Sequence, residues 1–215
     1  MKSGNSKTPL DVENQKFYQI AFDESERGLI LIITSDLDAK LEKILRKYLM
    51  PSRTAEDNLF NYQGGLGSFS NRIEMVYRLG IIDASFANSI DSLRKSRNRM
   101  AHKISENLEE SPHKDHLNNS MEQIKKSKIL TQLIEVSDKH LESLKEHANF
   151  DSSLDNQFTE GRIKLRHIHM ILSVLLDVIY KLLDGNIEKS KIRLGLASYD
   201  KDILELDILQ NEKEE

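Results

Sequence analysis

Apolar residues in this chain recur every three or four positions, and nowhere do they alternate. Ile30, Ile33, Leu37, Leu41, Ile44 and Tyr48 form one such series, and Phe86, Ile90, Leu93 and Met100 form another. Steps of three and four place side chains on one face of an α-helix, whereas a half-buried strand needs a period of two. The chain is therefore expected to be all-α. Composition agrees: Leu is the commonest residue, Ile, Lys and Glu are abundant, and 215 residues hold only nine Gly and three Pro.

Punctuation residues divide the chain. Residues 1–10 are polar, carry Gly4 and Pro9, and are expected to be disordered; a short helix is expected within 11–22. A long helix is predicted over about 24–49, with Asp23 and Glu26 as a capping box and Pro51 as its end. After the Gly-rich "NYQGGLGS", helices are predicted over about 68–79 and 84–102. Phe69, Ile73, Val76 and Tyr77 should face inward from the first of these, with Ser68 capping it and Gly80 stopping it. Residues 11–105 thus form one helical domain. The polar run 106–119, with Pro112, reads as a linker. Long helices over about 120–148 and 157–184 should pack on the bundle, with Gly185 ending the second and a tail from 186 to 215.

Several functions are excluded or disfavoured. The chain has no cysteine, so it has neither a disulfide framework nor a thiolate site. No apolar run approaches the roughly 20 residues of a membrane span, and "MKSGNSKTP" lacks the apolar centre of a secretory signal. A cytoplasmic protein with no membrane partner is expected. The net charge of −4 argues against non-specific coating of nucleic acid but leaves room for a local basic site. The Gly64, Gly65, Gly67 loop lacks the Gly-Lys-Ser/Thr of a phosphate loop and is read as a close approach of backbones. His113 and His116 read as surface histidines of the linker, and His167 and His169 lie on opposite sides of a helix. No cofactor and no metal are expected, and no helix-turn-helix for DNA is visible.

The most informative stretch is "RKSRNRMAHK", residues 94–103. In it Arg97 occupies the position on the 84–102 helix where the stripe calls for an apolar residue. Extending the stripe of the preceding long helix back from Ile30 reaches Glu26. A charge on a core-facing seam needs a counter-charge, so a Glu26–Arg97 ion pair is expected, with Glu24 as the other candidate acid. A capping role for Glu26 and a snorkelling Arg97 are the plainer readings of the same residues. His102 lies five residues after Arg97, about 140° further round the helix, while Asn98 shares its side. One straight helix does not bring Arg97 and His102 together; a helix that ends near 101, or two copies packed about a two-fold axis, would. A homodimer is expected on that ground.

"DESERGLILIITSDLDAKLEKIL", "GGLGSFSNRIEMVYRLGII" and "SLRKSRNRMAH" together resemble the mannitol operon repressor (MtlR-like) family, over about residues 23–105. "RNRMAH" also resembles the Arg-x4-6-His motif of HEPN domains. These domains are helical and often dimeric; many are metal-independent endoribonucleases and others are binding modules. The first resemblance implies a regulator acting through an unknown protein partner. The second implies RNA cleavage by its own 2′-hydroxyl, with His102 as acid or base, Arg97 as the phosphate clamp and Asn98 as an orienting group. Arg94, Lys95, Arg99 and Lys103 would then draw in the RNA backbone, or else form a solvated helix face.

Overall fold

The computed structural model describes residues 17, 20, 21, 24–103, 105–127 and 159–184. Among them are five helices and no strand: α1 Glu26–Tyr48, α2 Phe69–Arg78, α3 Ala84–His102, α4 His113–Lys126 and α5 Glu160–Asp184. The chain is all-α, and none of the described helices is long and apolar enough to cross a membrane.

The predicted stripes line the core. Leu29, Ile30, Ile33, Leu37, Leu41 and Ile44 of α1 are buried, as are Phe86, Ile90, Leu93 and Met100 of α3. α5 supplies Leu165, Ile168, Leu172 and Leu176 from the other side. It runs parallel to α1, and the pair is tied by Lys40–Asp177 at 2.5 Å and His169–Asp36 at 2.8 Å. α4 lies antiparallel along α3, and α2 packs against both α1 and α3.

Capping differs from expectation at α1. Ser25, not Asp23, is its N-cap, with the hydroxyl accepting from the Gly28 amide at 3.0 Å. Ser68 and Asp83 cap α2 and α3 through the amides of Asn71 and Phe86. Gly80, at φ 68°, stops α2, a conformation that favours glycine. Tyr77 of α2, expected inside, is exposed instead.

The glycine loop does bring backbones together: a Cβ at Gly64 or Gly67 would fall on the carbonyls of Asn58 or Asn61. Buried Arg72 fastens this loop to α1. It donates to the Leu66 carbonyl at 2.9 Å and pairs with Asp38 at 2.7 Å and Glu42 at 2.8 Å.

Residues 113–119, read from the sequence as linker, are the first half of α4. The polar run conceals two core residues, Leu108 and Leu117, and a buried His113. The misreading arose because α4 meets α3 largely through hydrogen bonds rather than an apolar stripe. Along that seam Ser89 bonds Ser120 and Asn119 donates to Ser92, each at 2.7 Å. Ser96 bonds His113, and Ser127 donates to Asp83, also at 2.7 Å. Expected features within 1–16, at 18, 19, 22, 23 and Ile104, in 128–158 and from 185 onward lie outside the described residues.

Candidate functional site

The C-terminal half of α3 carries the residues singled out in the sequence. The expected Glu26–Arg97 ion pair is absent. Arg97 is half-buried, and its guanidinium donates to the Asn98 side-chain carbonyl at 3.1 Å. No carboxylate lies within ion-pair distance of it among the described residues. The snorkelling geometry explains why: a long side chain at the rim of the core can carry its charge toward water and needs no buried partner. Glu26 is occupied elsewhere. It accepts from the Leu108 amide at 2.7 Å and the Thr159 hydroxyl at 3.4 Å, so it holds the loop after α3 and the start of α5. Glu24 serves through its backbone, its carbonyl accepting from buried Arg162.

The four other cations of the run are paired locally. Arg94 and Lys95 both reach Asp91, at 2.7 and 2.9 Å. Burial pushes the Asp91 carboxyl up, but hydrogen bonds from Lys95 and Arg94 outweigh it and leave it below its ordinary value. Arg99 and Lys103 reach Glu106, at 2.6 and 3.5 Å. The Arg99 hydrogen bond, helped by His113, holds the Glu106 carboxyl down at about 2.

His102 is the last residue of α3 and is exposed, with no hydrogen bond or ion pair of its side chain among the described residues. Asn98 stands one turn before it on the same side of the helix. Arg97 and His102 share no hydrogen bond within the chain. The end of α3 is instead held by Arg27 of α1, which donates to the Ala101 carbonyl at 2.9 Å. One of the carbonyls that a helix end leaves without a partner is thereby satisfied.

Compared with protein-family models, curated proteins and solved structures, the chain matches none.

Sequence reasoning passed over three residues that organise the site. Arg27 stands inside the "DESERG" block beside Glu26, and no sequence pattern marks it. His113 was placed on the surface. It is 1% exposed, with Nδ1 on the Ser96 hydroxyl and Nε2 on Glu106, both at 2.7 Å. Glu106 is the third, and it joins His113 to Arg99. One signal was available: Ser89, Ser92 and Ser96 step by three and four, a polar stripe that calls for a polar partner. His116, beside this cluster, has its imidazole pushed below its ordinary value by burial and by His113. Among the described residues no group of three or more His, Asp or Glu could hold a metal ion.

Proposed function

We propose that the protein is an MtlR-like regulator that works chiefly through protein contacts made at the C-terminal end of α3. The observation that supports this is the pairing of its cations. RNA affinity comes from cations that replace counterions along the backbone. Arg94, Lys95, Arg99 and Lys103 share two carboxylates, Asp91 and Glu106, which halves the charge the four present to a phosphate backbone. A protein contact needs no such track, only a few well-placed donors within a polar rim.

The test is genetic and biochemical together. Deleting the gene should change transcript levels of an operon. Wild-type protein should restore them, and Arg97→Ala or His102→Ala should not, although both variants fold. Purified protein should leave single-stranded RNA intact. A deletion strain with unaltered transcripts would overturn the reading.

One observation favours a second reading, a dimeric HEPN-type ribonuclease. Arg97 is the one cation of the 94–103 run bound to no carboxylate, and His102 is exposed beside Asn98. A two-fold dimer through α3 would set Arg97 of one copy near His102 of the other. Cleavage in the presence of chelator, leaving 2′,3′-cyclic phosphate ends and lost in His102→Ala, would establish this reading. A strictly monomeric protein at micromolar concentration would remove it.

A further inference from the structure

Six cations surround the C-terminal half of α3, and two of them differ from the rest. Arg27 makes one side-chain hydrogen bond, to Ala101, and Arg97 makes one, to Asn98. Neither has a carboxylate within ion-pair distance among the described residues. A guanidinium carries five N–H donors in a planar fork, so most donors of both groups remain open. Both side chains are half-buried. Partial burial weakens solvent screening of their charge and limits their rotamers.

Their relative placement follows from α3. Ala101, which Arg27 grips, lies four residues after Arg97 and on the same face. At 1.5 Å per residue, residues 97 and 101 are roughly 6 Å apart along the helix axis. The negative end of the α3 dipole would repel an anion, and the Arg27 bond to the Ala101 carbonyl offsets it there.

We propose that Arg27 and Arg97 form a paired-fork site for carboxylates, and that it takes a short acidic segment of the regulatory partner. The proposal rests on the reading of this surface as a protein contact and names the chemistry of that contact. Planar forks match carboxylates two bonds at a time, which a lysine ammonium does not do. Two open forks ask for two carboxylates, which one short acidic segment supplies.

The experiment is fluorescence anisotropy on the full chain, with three dye-labelled probes. They are a short peptide of alternating Glu and Ala, its Gln counterpart, and an oligouridylate of equal length. The Glu peptide should bind and the Gln peptide should not. Arg27→Gln and Arg97→Gln should each weaken binding about tenfold, the loss of one charge-assisted bidentate pair. Arg97→Lys should fall between, keeping the charge without the fork. Lys95→Gln, an exposed residue already paired with Asp91, should change binding by less than about twofold. Arg27→Gln removes a contact at the end of α3, so Arg97→Gln decides the matter if the first variant melts early.

Equal binding of the Gln peptide, indifference to both arginine variants, or displacement of the peptide by oligouridylate would each overturn the proposal. If transcript control persists while peptide binding is absent, this inference falls and the regulatory reading stands. Cleavage of the oligouridylate removes both.

Discussion

Ser96→Ala should cost far more than the loss of one surface hydroxyl. Ser96 is fully buried and His113 is 1% exposed, so water cannot replace the lost group. The 2.7 Å bond from Ser96 is the partner of His113 Nδ1, while Nε2 faces Glu106. The tautomer that satisfies both bonds carries its proton on Nε2 and accepts from the serine at Nδ1. Removing the serine leaves a buried nitrogen with no partner, a penalty of about 1–3 kcal/mol. Urea denaturation followed by circular dichroism measures it. With a slope of about 2 kcal/mol/M, the midpoint should fall by roughly 0.5–1.5 M at unchanged slope. Ser111→Ala, which removes an exposed bond to Asp115, should stay within about 0.5 kcal/mol. The double variant Ser96→Ala/His113→Leu should be less destabilised than the two single changes added together, because both ends of the bond are then gone. A Ser96→Ala midpoint within about 0.2 M of wild type, or strict additivity in the double variant, would refute the reasoning.

Three further outcomes follow from the geometry. Arg72→Met should destabilise the fold by about 3 kcal/mol in the same urea assay, at the low end for a buried pair because Asp38 and Glu42 keep some contact with water. Gly64→Ala should lose more than about 2 kcal/mol, because its Cβ would strike backbone carbonyls that cannot swing aside. Gly65→Ala, whose Cβ would sit 3.6 Å from the Leu59 side chain, should melt within a few degrees of wild type. Glu106 supplies a pH test. Its folded carboxyl titrates near 2, below its ordinary 4.5, so its contribution is complete above that ordinary value. The contribution is lost as pH falls from 4.5 through about 2. The stability gap between wild type and Glu106→Gln should therefore be widest near neutrality and close in acid. A gap that stays constant across that window would show that Glu106 does not act through its charge.

Elements with an apolar stripe and a capping residue were legible from sequence. α3 begins and ends where Asp83 and the Phe86-to-Met100 stripe place it, and the Gly80 stop on α2 holds for the same local reasons. What escaped was carried by polar contacts distant in sequence. Glu26 finds its partners at Leu108 and Thr159, and no local pattern announces either. α4 was missed because its buried face is part serine, asparagine and histidine, a composition that alone reads as loop. At the candidate site the identity of Arg97, Asn98 and His102 was readable. The pairing of Arg99 and Lys103 was not, because Glu106 lies beyond the end of the helix, whereas Asp91 stands at the local spacing of three and four from Arg94 and Lys95.

The seam between α3 and α4 behaves as a key in a lock rather than as two oiled surfaces. Its bonds run in order, with Asp83, Ser89, Ser92 and Ser96 meeting Ser127, Ser120, Asn119 and His113. An apolar seam can slip by a turn and still bury similar area. A slip of one turn here breaks four side-chain bonds at once, two of them between buried groups. That cost holds α4 to this register on α3. Glu106 is fastened to α4 through His113 and at the same time neutralises Arg99 and Lys103. An event that lifts α4 removes the His113 bond from Glu106, so the carboxylate that tempers the end of α3 loses one of the bonds that position it.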